Sequence, residues 1–95
     1  MSVKISGGSV VHLPTGVRLK EDKVRGRMVL LAPERAVVVD SIAVAILGEI
    51  DGANTLDAIV ASLAAKYAAD PELIRTDVVK FLLDLSDRRM LEIGP

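Results

Sequence analysis

The chain contains no cysteine and no tryptophan, and a single histidine (His12), tyrosine (Tyr67) and phenylalanine (Phe81) among 95 residues. Without cysteine it has no disulfide, no thiolate nucleophile, no Cys-ligated zinc and no iron–sulfur cluster of its own. A lone histidine has no second component for nucleophilic or general-base chemistry, and one imidazole makes a poor metal site. His12 sits among Gly7, Gly8, Pro14 and Gly16, in a stretch that reads as a flexible arm, so it is expected to be an ordinary surface residue. Neither sign of charge dominates. The formal net charge of −1 argues against a strongly basic nucleic-acid binder and against a polyanionic tail. No segment reaches the length of a membrane span, and the start MSVKISGGSVVHLP lacks a signal-peptide run, so a reducing, cytoplasmic setting is expected.

What is present is aliphatic. Hydrophobic residues make up 51% of the chain, so one domain with a Leu, Ile, Val and Ala core is implied. A chain of this size buries only about 65% of its unfolded surface, which makes stability marginal. Residues 1–15 are expected to form the arm and 16–92 the domain. The apolar patch Val10 to Leu13 within the arm is free to add a strand, either within the molecule or to a second copy.

From Val17 the pattern V-R-L-K-E alternates apolar and charged residues, as in a strand with one solvated face. Asp22 to Gly26 supplies a polar loop, Met28 to Leu31 a second strand, and Pro33-Glu34-Arg35 a corner. Ala36 to Val39 is the third strand. Its consecutive valines suit cover on both faces, and its free edge invites a partner strand. The period then changes to that of helices. Asp40 or Ser41 caps a first helix with Ile42, Ala43, Ile46, Leu47 and Ile50 as its apolar positions. Thr55 caps a second, with the stripe Leu56, Ile59, Val60, Leu63 and Tyr67. Asp70-Pro71-Glu72 starts a third, expected to run to about Arg89.

The third helix carries two apolar lines. Ile74, Val78, Phe81 and Leu85 form one, and Val79, Leu82 and Leu83 widen it. A central helix packed on both other helices and the sheet explains this. So does a groove wall, in which part of the second line stays uncovered beside the open strand edge and receives an extended peptide. Asp84 and Asp87 read as a solvated face, with Arg88 placed to pair with Asp84. Gly7-Gly8 lacks the context of a phosphate loop. No cofactor, metal site or catalytic residue is expected.

The LLAPER corner (Leu30 to Arg35), the Asp51-Gly52 pair with Thr55 following, and a third helix ending DRRML give a sequence that resembles the PqqD family of pyrroloquinoline quinone (PQQ) biosynthesis from Gly16 to Leu91. The resemblance implies an α+β, winged helix-turn-helix-like domain: a three-stranded antiparallel sheet followed by a three-helix bundle. It implies a non-catalytic recognition element that binds the precursor peptide PqqA by strand addition and presents it to the radical SAM enzyme PqqE. Carried onto this chain, the peptide-binding positions are Arg35, Ala36, Val37, Val38 and Val39 on the third strand and Arg75, Val79 and Leu82 on the third helix. Arg18 to Arg35 holds six bases against three acids. That stretch is either an ordinary solubilising face or a surface that steers an acidic peptide or docks an acidic enzyme. A winged-helix nucleic-acid binder is the alternative function, opposed by the acids of the third helix. Homodimerisation by exchange of a strand or the arm is left open.

Overall fold

A computed structural model describes residues 4–94. In chain order its elements are β1 (Val11–His12), β2 (Arg18–Asp22), β3 (Arg27–Ala32), β4 (Arg35–Val39), α1 (Ser41–Leu47), α2 (Leu56–Tyr67), α3 (Pro71–Asp87) and β5 (Glu92–Ile93). The fold is α+β. Strands β2, β3 and β4 form an antiparallel sheet in that order, three helices follow it, and β1 pairs with β5 as a separate ribbon.

Local chemistry sets the turns of the sheet. Asp22 accepts a hydrogen bond from the Arg25 N–H at 3.2 Å, and Gly26 takes a φ of +64°, which closes the loop between β2 and β3 at little steric cost. Pro33 and Glu34 form the corner between β3 and β4, with Ala32 opposite Arg35. Leu19, Met28, Leu30, Val37 and Val39 line the face that packs on the helices. Cover on both faces of β4, expected from its run of valines, is not found: Val39 is 8% exposed but Val38 is 54% exposed. Only one face of this sheet has helices to pack on.

Each helix begins at its expected cap. Asp40 accepts from the Ala43 N–H at 2.8 Å, Thr55 Oγ1 from Ala58 at 3.1 Å, and Asp70 from Glu72 at 2.9 Å. Helix α1 is about a turn shorter than its apolar spacing suggests, since Gly48 closes it with its N–H on the Val44 carbonyl, and Ile42 faces solvent. Tyr67, at the end of the α2 stripe, is also exposed. Helix α3 stops at Asp87, two residues before the expected end, and Arg89 adopts a φ of +60° that sends the chain back toward the core.

The expected flexible arm is, over residues 5–13, part of the folded unit. The Val10 to Leu13 patch adds its strand within the molecule: β1 pairs with β5, the Gly94 N–H reaches the Val10 carbonyl at 2.7 Å, and Val11 is fully buried. The same segment completes the start of α2. The N–H groups of Leu56 and Asp57 donate to the carbonyls of Ser9 and Gly7, at 2.9 and 3.0 Å, so the first donors of the helix are satisfied by Thr55 and this segment together. A Cβ at Gly7 would lie 2.4 Å from an Asp57 carboxylate oxygen, so a larger residue there displaces that exposed side chain. The expectation for Met1 to Val3 lies outside the described residues. Leu30, Leu56, Ile59, Leu82, Leu85 and Met90 are the large side chains fully enclosed, so the core is aliphatic.

Candidate functional site

Strand β4 is the edge of its sheet, and among the described residues only β3 pairs with it. A two-residue corner makes Ala32 and Arg35 a hydrogen-bonded pair, and antiparallel bonding then alternates along the register. Arg35, Val37 and Val39 therefore bond to β3. Ala36 and Val38 turn their N–H and C=O groups to the open edge, with their side chains on the outer face of the sheet.

Helix α3 is reached from both ends of that strand. At one end Arg35 donates from its guanidinium to the carbonyl of Arg88, the C-cap of α3. At the other, Ser41 and Ile42, just beyond β4, line a cavity of about 270 Å3 with Ile74, Asp77 and Val78 of α3. Five strand residues span roughly 13 Å, and the helix from Asp77 to Arg88 roughly 16 Å. The two tie points thus lie at opposite ends of the two elements, with Phe81 and Asp84 between them on the helix. Ile74, Asp77, Phe81, Asp84 and Arg88 recur at steps of three and four, so they form the helix line beside β4. Phe81 is half-buried and Asp84 is exposed.

This geometry separates the expected site residues. Arg35 to Val39 lie together on the open strand, with Val37 half-buried and Val39 buried on the inner face. Arg75, Val79 and Leu82 form a line roughly 150° round the helix from the Ile74 to Arg88 line. Arg75 forms an ion pair with Asp57 at the start of α2, Val79 is half-buried against the core, and Leu82 is fully enclosed. Val79 and Leu82 are therefore core packing, whereas Leu83 lies outside the core and lines an open hollow with Asp77, Lys80, Phe81, Asp84 and Asp87. The line beside β4, Ile74 to Phe81, carries a signal in the sequence: its apolar positions are interrupted by Asp77 and Asp84, as expected where a helix face leaves the core.

Around α3 the exposed acids outnumber the free bases, which among the described residues are Lys80 and Arg89. Arg88 pairs with Asp84 at 3.4 Å, as its spacing suggests, and Asp70, Glu72, Asp77, Asp84 and Asp87 are exposed. That surface opposes a phosphate backbone. His12 pairs with Glu92 at 2.7 Å across β1 and β5, and the described residues hold no group of three metal-ligating side chains. Asp51 accepts from the N–H groups of Ala53 and Asn54, both at 2.8 Å, which holds its carboxyl below the usual carboxylate range. That turn closes the loop between α1 and α2.

Comparison with known proteins decides the family. The family model described as coenzyme PQQ synthesis protein D (PqqD) matches residues 27–91. The chain belongs to the PqqD family. It is 60% identical over 89 residues, 94% of this chain and 91% of the relative, to the PqqA binding protein of Rhizobium meliloti. It is 47% identical over 87 residues to the bifunctional coenzyme PQQ synthesis protein C/D of Methylorubrum extorquens, covering 92% of this chain and 23% of that larger protein. Among solved structures, the solution NMR structure of the PqqD truncation of Methylobacterium extorquens PqqCD, a stand-alone recognition element for ribosomally synthesised and post-translationally modified peptides, matches with a TM-score of 0.81 and 46% identity over 94% of this chain and 95% of that one. The crystal structure of PqqD from Xanthomonas campestris matches with a TM-score of 0.59 and 42% identity, over 94% and 99%. The PqqD fold of sheet followed by three helices is thus the one found here.

Proposed function

We infer that this protein is a non-catalytic, cytoplasmic peptide chaperone of PQQ biosynthesis that binds the precursor peptide PqqA and presents it to the radical SAM enzyme PqqE. The observation that carries the reading is the open edge of β4, where two residues offer four unpaired backbone groups beside an apolar helix line, in a chain of the PqqD family. An extended peptide laid on that edge gains a backbone ladder at Ala36 and Val38, and its inward side chains meet Ile74 and Phe81. The ladder is tolerant of sequence and the helix line selects. Arg35, Ala36, Val37, Val38 and Val39 remain the peptide-binding strand of this proposal, and Ile74, Asp77 and Phe81 replace Arg75, Val79 and Leu82 as its wall.

The test is an amide NMR titration of labelled protein with synthetic PqqA at two salt concentrations. The expected result is the largest shifts at Ala36, Val38 and the Ile74 to Asp84 segment, persisting at the higher salt. No shifts with PqqA, together with broad shifts on duplex DNA that vanish at the higher salt, would replace the reading with a winged-helix nucleic-acid binder.

A further inference from the structure

The sheet has a second face that the peptide groove does not use. Its register sets Arg18 against Leu31, Lys20 against Val29 and Asp22 against Arg27, and continues through Leu31 to Ala36 and Val29 to Val38. All these side chains stand on the side away from the helices; none of Val29, Leu31, Ala36 and Val38 takes part in the helix-packed core, and of the four only Val29 is buried. The face is concave. A hollow of about 590 Å3 has Val29, Leu31 and Ala36 as its floor and Lys20, Lys23 and Arg27 on its rim.

Its charge differs in sign from the rest of the molecule. With the hairpin tip it holds five of the twelve bases (Arg18, Lys20, Lys23, Arg25, Arg27) but only two of the thirteen acids, Glu21 and Asp22. Asp22 is shared by Arg25 at 3.5 Å and Arg27 at 3.6 Å, whereas Arg18, Lys20 and Lys23 have no ion pair among the described residues. A second copy of the same face would set like charges against each other, and a phosphate backbone would leave the apolar floor unmatched.

We propose that this outer face docks an acidic protein surface, carboxylates around an apolar centre, belonging to the enzyme that acts on the bound peptide. The link to the peptide rests on the strand-addition reading. A strand added beside β4 extends the sheet, so alternate peptide side chains stand on the outer face next to Ala36 and Val38. A protein seated there touches sheet and peptide together, and it binds the loaded protein more tightly than the empty one. By linkage, it tightens the peptide to the same degree.

PqqE is the probe, titrated with and without PqqA at two salt concentrations against wild type and Arg18→Glu/Lys20→Glu. The variant is expected to bind PqqE on the order of tenfold more weakly at low salt while holding PqqA within about twofold. Zero-length carbodiimide cross-links from wild type to PqqE carboxylates are expected at Lys20 and Lys23. Unchanged PqqE affinity in the variant, or cross-links confined to Lys4, Lys66 and Lys80, would overturn the proposal. Should the double glutamate fail to fold, Arg18→Gln/Lys20→Gln is read by the same criteria. A peptide titration that leaves the Ala36 and Val38 amides unmoved overturns strand addition instead, and does not bear on the effect of Arg18 and Lys20 on PqqE.

Discussion

Replacing Val38 by proline separates the open edge of β4 from its internal ladder. The register gives Arg35, Val37 and Val39 the bonds to β3, so the Val38 N–H faces outward and its loss breaks no bond of the fold. The side chain is 54% exposed, so little packing is lost, and the restriction that proline places on Val37 favours the extended backbone it already has. Thermal unfolding is therefore expected to shift by only a few degrees. An added strand, in contrast, meets a missing donor and a ring at the centre of its ladder. A guest carbonyl left without a partner costs about 1–3 kcal/mol, which is roughly 5- to 150-fold in Kd.

The assay is calorimetric titration with PqqA, accompanied by circular dichroism and a thermal melt for every variant. Val37→Pro is the control, because it removes a donor from the bond with Leu30 and turns the ring into the sheet; it is expected to unfold the protein. A folded Val38→Pro variant that binds PqqA within twofold of wild type would refute the edge as the docking strand. Loss of binding with loss of fold would say nothing for it.

Val11→Ala is expected to cost about 2 kcal/mol, from two buried methyl groups and the space they leave, and to lower Tm by roughly 10 °C; an unchanged melt would mean that β1 does not contribute to the fold. Ala68 closes α2 at φ 50°, ψ 45°, a left-handed conformation that costs a side chain, so Ala68→Gly is expected to raise stability by about 0.5–1 kcal/mol and Tm by several degrees. A lower Tm would refute that strain. The lowered carboxyl of Asp51 stabilises its turn above the usual carboxylate range, and that contribution is lost as pH falls through the lowered value. The amides of Ala53 and Asn54 are accordingly expected to titrate with a midpoint below the ordinary Asp value of about 3.9, as followed by NMR, and a midpoint at or above it would contradict the hydrogen bonding.

What was legible in the sequence is what acts over one turn of chain. Asp40, Thr55 and Asp70-Pro71 each cap a helix through N–H groups two or three residues away, and Pro33-Glu34 makes its corner with its own neighbours. The docking of residues 5–13 has no such local sign. His12 and Glu92 meet across 80 residues, and Gly7 and Ser9 cap α2 through carbonyls that every residue type possesses. The candidate site shows the same division. The free edge at Ala36 to Val39 follows from the order of elements, whereas the face of α3 beside it depends on how the helix crosses the sheet. Both lines of α3 are apolar, so hydrophobic content alone cannot choose between them. Charge placement can. An enclosed position such as Leu82 has no use for a carboxylate, while the line through Asp77 and Asp84 keeps two on the border of the core. A helix line that mixes apolar residues with regularly spaced acids marks the rim of a groove, and that criterion points to Ile74 and Phe81.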